Sequence, residues 1–140
     1  MTILYPLFGM IALSCLVLIL LYASRFYLIA KVIKSGGELH RAKHSDESRP
    51  SLPGFFRNVT DNYNHIFEQP TLFYAAVVYI YLMNHADPTH VALAWGYVAA
   101  RAIHSMVQIT INHVPTRIVF FVVSGFCLAS MIIKEALAFV

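Results

Sequence analysis

Four apolar blocks alternate with short polar stretches along the chain: Ile3 to Ile33, Ile66 to Met83, Val91 to Ile111, and Ile118 to Ile133 with a tail running to Val140. With its flanks, each block can supply the roughly 20 helical residues that cross a hydrocarbon core about 30 Å thick. In lipid, only helices and closed barrels satisfy their backbone groups internally. The pattern therefore predicts an all-α integral membrane protein, a bundle of four transmembrane helices over residues 3–33, 58–84, 89–112 and 116–138. Residues 34–57 read as a polar connector, "KSGGELHRAKHSDESRPSLPG" with its flank, rich in turn formers. A single domain over 1–140 is expected, with no length left for a separate soluble unit.

Inside the third helix the stretch "RAIHSMVQITINHVPTR", residues 101–117, interrupts this pattern with two arginines, two histidines, a glutamine and an asparagine. On a helix turning about 100° per residue, Tyr97, Arg101, His104, Gln108 and Asn112 fall within a stripe of roughly 80°, while Ile103, Val107, Ile109 and Ile111 lie away from it. A charge in mid-membrane costs at least about 2.5–3.5 kcal/mol on insertion scales, so the stripe must face protein or a water-filled cavity. Helix-to-helix hydrogen bonding and the lining of a polar cleft both account for it. The second helix carries a matching face: in "NVTDNYNHIFEQP", residues 58–70, Asp61, Asn64, His65 and Glu68 recur at helical spacing. Glu68 stands where the apolar run begins and needs a cation; Arg101 or a cation of another subunit is the expected partner. Pro70 removes a helical N–H and predicts a kink near Glu68.

Composition supports the membrane reading. Of 140 residues 59% are hydrophobic and 12% charged, against an apolar share of roughly 45–50% in soluble domains. The mean hydropathy is +0.65. The first block follows Met1 and Thr2 without a basic n-region and exceeds the roughly 7–15 apolar residues of a cleaved signal, so it is expected to remain as a helix. The net charge of +3 resides largely in the connector, through Lys34, Arg41, Lys43, Arg49 and Arg57, whereas "NHADPTH" between helices 2 and 3 has no Lys or Arg. The positive-inside rule then places the connector and the short turn between helices 3 and 4 in the cytoplasm and both termini outside. This charge is a topology signal rather than a nucleic-acid patch. Cys15 and Cys127 fall in apolar helices and read as packing residues. Inverted repeats of the kind found in transporters do not appear.

Two further features carry a resemblance. "RAIH" at 101–104 is followed by Arg117 thirteen residues after His104, just past Pro115, and the start of helix 2 bears Asn64 and Glu68 near Pro70. With a long first helix and a polar cytoplasmic connector, the chain resembles the membrane-associated proteins in eicosanoid and glutathione metabolism (MAPEG). It is similar to a bacterial-type member of the microsomal prostaglandin E synthase and glutathione transferase branch, in an inner membrane. The resemblance implies a homotrimer that binds glutathione between neighbouring subunits near the cytoplasmic side. It implies that Arg117 is the catalytic arginine aimed at the glutathione sulfur, and that Asn64 or His65 with Glu68, and Arg101, His104 and Gln108, line the glutathione site; no metal is implied. The match at helix 2 is looser, because the family usually spaces Asn and Glu three apart and here they are four apart, with His65 at the closer spacing. Gln108 stands where the prostaglandin branch has a tyrosine, and Phe120 and Phe121 stand where some members place one.

The chemistry at Arg117 follows from elementary electrostatics. A thiol with pKa near 8.5 is only a few per cent thiolate at pH 7. A permanent cation in the first turn of helix 4, joined by the helix dipole, would lower that pKa by about one to two. The expected function is thus a glutathione-dependent transferase or peroxidase acting on lipophilic electrophiles from the bilayer. Two alternatives stay open. Arg117 reads equally as a loop arginine snorkelling to lipid headgroups. The protein as a whole reads as a non-catalytic lipid-binding, scaffolding or accessory subunit of a larger membrane complex, and the altered tyrosine positions favour that reading.

Overall fold

A computed structural model describes residues 3–34 and 53–138. These residues form an all-α bundle of α1 (Leu4–Lys34), α2 (Gly54–His65), α3 (Pro70–Leu82), α4 (Pro88–Ile109) and α5 (Val114–Leu137). Arg41, Lys43 and Arg49 of the expected cytoplasmic connector lie outside the described residues.

The helix expected over 58–84 differs in two respects. It begins earlier, at Gly54 after Pro53, because Phe55 and Phe56 have a site to fill: the Phe56 ring stacks on Tyr27 of α1 at 5.6 Å and meets Phe55 edge-on. Arg57 therefore lies on α2, not in a loop. It is also broken across 66–69, where turn bonds from Phe67 and Glu68 to the Asn64 and His65 carbonyls end α2 and Gln69 starts α3. Pro70 is the physical reason, since its nitrogen has no proton for the Ile66 carbonyl. Thr71 Oγ1 donates to the Phe67 carbonyl at 2.9 Å, and Gln69 Oε1 accepts from Ser124 Oγ at 3.0 Å, tying the break to α5.

Among the described residues two helices, α1 and α5, are long and apolar enough to cross a bilayer by themselves. The span expected over 58–84 is interrupted by the break between α2 and α3, and α4 is diluted by its polar face. That face turns inward: Tyr97, Arg101 and Gln108 are 0% exposed, whereas Phe26, Ile111 and Phe126 are more than two-thirds exposed. A soluble domain distributes these residue types the other way. The core comprises Met10 and Val17 of α1, Phe73, Val77 and Ile80 of α3, Ala94 and Tyr97 of α4, and Leu128 and Met131 of α5. Phe73 and Tyr97 stack at 4.3 Å. The most extensive pairing is α4 with α5. Gly96 permits it, because a Cβ there would stand 3.3 Å from Cys127 Sγ, the small-residue device of membrane helix pairs.

At the end where α4 begins and α5 stops, a charged cluster joins them. Asp87 caps α4 by accepting from the His90 N–H at 2.8 Å and pairs with Lys134. The buried His90 ring lies 3.0 Å from Asp87 Oδ1 and 3.2 Å from Glu135 Oε1, and His85 Nδ1 is 2.8 Å from Glu135 Oε2. Lys134 and the His90 N–H hold the Asp87 carboxyl down at about 2.

Candidate functional site

The opposite end of the bundle brings together the end of α2, the end of α4 and the start of α5. A cleft of about 210 Å³ opens there, lined by His65, Glu68, His104, Val114, Arg117, Ile118 and Phe121. Its position follows from local sequence. His113 ends an extended link and Pro115 stands in the first turn of α5, so the helix starts at Val114 and places Arg117 in its first turn. His104 projects from the last turns of α4 across to it.

Arg117 is held at its backbone carbonyl and at its guanidinium. His104 Nδ1 lies 2.9 Å from the Arg117 carbonyl, so that nitrogen carries the proton and donates. Nε2 of the neutral ring then needs a donor. The Gln108 amide lies 3.1 Å away through its Oε1 position, and its nitrogen has no other partner among the described residues. The network therefore assigns the Gln108 NH2 to His104 Nε2. The guanidinium is held in turn by Asn112, whose Oδ1 accepts from Arg117 Nη1 at 2.7 Å. Asn112 Nδ2 donates to Asn58 Oδ1 on α2 at 2.9 Å. Arg117 Nε is buried without a partner among the described residues.

Arg101 sits behind the cleft rather than in it. It is fully buried, donates from Nη2 to the His65 carbonyl at 2.8 Å, and lies 5.8 Å from the Phe121 ring centroid; Nε and Nη1 have no partner among the described residues. The expected ion pair with Glu68 is not formed. Glu68 lies 2.9 Å from His65 Nδ1 at the cleft mouth, half-exposed, because the turn over 66–69 swings its side chain to the surface. Asn64 is likewise exposed and does not line the cleft; the buried asparagines of α2 are Asn58 and Asn62. His65, Glu68, His104 and Arg117 thus converge, Gln108 and Arg101 stand one layer behind, and Asn64 stays outside. The pinning role of Asn58 was not legible from helical spacing, since the bond crosses between elements far apart in the chain.

This geometry coincides with a match along the chain. The model of the MAPEG family matches residues 6–137. The chain belongs to the MAPEG family. No curated protein and no solved structure matches it. Family membership makes it a membrane protein of glutathione and eicosanoid metabolism in the broad sense, and the Arg117 cleft of this MAPEG chain is lined by His65, Glu68, His104 and Arg117.

Its side chains could hold a ligand that carries an anionic group and N–H donors. Arg117 offers an unpaired buried N–H and a permanent charge to an anion. Glu68 and His65 at the mouth can receive peptide N–H or ammonium groups. Val114, Ile118 and Phe121 form an apolar wall.

Proposed function

We propose that this MAPEG protein is a glutathione-dependent membrane transferase or peroxidase acting on lipophilic electrophiles. The observation that carries the reading is Arg117: a cation in the first turn of α5 that lines the cleft, held by Asn112 and at its own carbonyl. When bound, glutathione supplies a thiol that loses its proton to solvent and displaces a leaving group from carbon, or, as a pair, reduces a peroxide to alcohol and water and departs as the disulfide. Arg117 and the α5 terminus would hold the negative charge on sulfur. Glu68 and His65 would bind the peptide at the mouth. Val114 and Ile118 are each more than half exposed and continue into the bilayer-facing side of α5, giving an apolar electrophile a path to the sulfur while excluding water.

The cleft is smaller than the roughly 300–1,000 Å³ of most small-molecule sites. A neighbouring subunit of a homotrimer completes it in this reading, with the cleft end facing the cytoplasm, as the basic connector predicts.

Titration of glutathione into the detergent-solubilised protein, followed by thermal shift, tests binding. Arg117→Ala is expected to lower turnover of chlorodinitrobenzene by a factor of roughly 10 to 1,000 while weakening glutathione binding less. Wild-type protein that binds no glutathione, or an alanine variant that turns over as fast as wild type, would leave the non-catalytic membrane subunit as the correct reading.

A further inference from the structure

We propose that Asn112 is a positioning residue for Arg117: pinned by Asn58, it accepts from Nη1 and so fixes the plane of the guanidinium at the cleft. The consequence for glutathione rests on the function proposed above; the geometry does not.

Among the described residues only Asn84 and Asn112 combine a side chain with positive φ, at 58° and 51°. Asparagine enters this left-handed region more readily than most residues. Both asparagines end a helix, with the His85 N–H closing α3 on the Ile80 carbonyl and the Asn112 N–H closing α4 on the Val107 carbonyl. Backbone geometry accounts for Asn84, whose side chain has no hydrogen bond among the described residues. It does not account for Asn112, whose amide is engaged at both ends, donating to Asn58 at 2.9 Å and accepting from Arg117 at 2.7 Å. Asn58 is itself nine-tenths buried on α2. A planar amide held at both its oxygen and its nitrogen has no free rotamer.

The covalent layout of the guanidinium does the rest. Because the group is planar, one hydrogen bond from Nη1 to a fixed acceptor restrains the rotation of all three nitrogens, and Nε is buried without a partner among the described residues. The backbone of the same residue is fixed by His104 at its carbonyl, so neither end of Arg117 is left to drift. One turn residue, two from the start of α5, thereby fixes how the Arg117 guanidinium is held at the cleft.

The test uses the full-length protein in detergent micelles, labelled with nitrogen-15 in arginine, the Arg117 lines being identified by their loss in Arg117→Lys. Asn112→Gly keeps the turn, because glycine adopts positive φ freely, and removes only the side chain. Rotation about the guanidinium bonds of Arg117 is expected to speed up about tenfold, the loss of one charged hydrogen bond. Turnover of chlorodinitrobenzene should fall about tenfold, with the KM for glutathione changing less than about threefold. Asn112→Asp keeps both the turn and the acceptor: rotation stays slow, but the added negative charge opposes a thiolate and turnover falls. Asn58→Ala leaves the turn untouched and should speed rotation about threefold, which also covers an Asn112→Gly protein that fails to fold. Arg117 lines that do not change in Asn112→Gly or Asn58→Ala overturn the proposal. Lines that change as expected in a protein that binds no glutathione uphold the positioning and refute the function.

Discussion

Arg101 and Arg117 have the same side chain and opposite fates. Arg117 is partly exposed and held by Asn112 at a cleft; Arg101 is sealed under Phe121 with one bond to a backbone carbonyl and two donors unpaired. A carboxylate at Glu68 was the expected partner of Arg101 from helical spacing, but the turn before Pro70 gives that carboxylate to His65. Two residues that do not touch should not depend on each other strongly. In a double-mutant cycle of Arg101→Met and Glu68→Gln, the stability losses are expected to add to within about 1 kcal/mol, less than the 3–5 kcal/mol lost when one partner of a true buried pair is removed. Chemical denaturation of the four proteins in mild detergent measures this, and a coupling above that range would show that they interact after all.

At the scale of elements, α4 and α5 are stitched at both ends by polar groups around an apolar middle. His104 and the Arg117 carbonyl close one end, and Asp87, His90, Lys134 and Glu135 close the other. The second stitch carries a pH signature. Asp87 is held at about 2 in the fold against an ordinary value of 3.8, chiefly by Lys134 and the His90 N–H. A lowered carboxyl pKa contributes stability that is present in full above the ordinary value and is lost as pH falls through the folded one. Wild-type thermal stability should therefore fall as pH drops from about 4 to about 2, and Asp87→Asn should fall less across the same window. Asp87 is 42% exposed, so solvent screens the effect and a modest slope is expected. Equal slopes in the two proteins would assign the acid loss to other carboxyls.

The whole molecule is turned inside out relative to a soluble domain, with large apolar side chains of α1 and α5 outward and arginine, glutamine and histidine inward. Such a chain is expected to assemble. In the proposed reading a second copy beside the Arg117 cleft would complete it, so a homotrimer is the predicted state. Native mass measurement in mild detergent should give three times the 15.8 kDa chain; a cross-linking ladder that stops at the monomer would refute it.

Hydrophobic blocks and helical spacing were enough to specify an all-α membrane bundle and the inward polar stripe of α4, because burial in lipid admits few backbone solutions and a charge there admits few orientations. The candidate cleft was partly legible for a related reason: His65 and Glu68, three residues apart, and His104 and Arg117, around a proline-marked turn, are local in the chain. Tertiary structure decided the rest. Which carboxylate Arg101 lacks, which asparagines of α2 are buried, and which amide pins Arg117 depend on the break at Pro70 and on bonds between residues 54 positions apart, such as Asn58 and Asn112. Periodicity describes one helix at a time; the partner of a side chain is chosen by the three-dimensional packing of several.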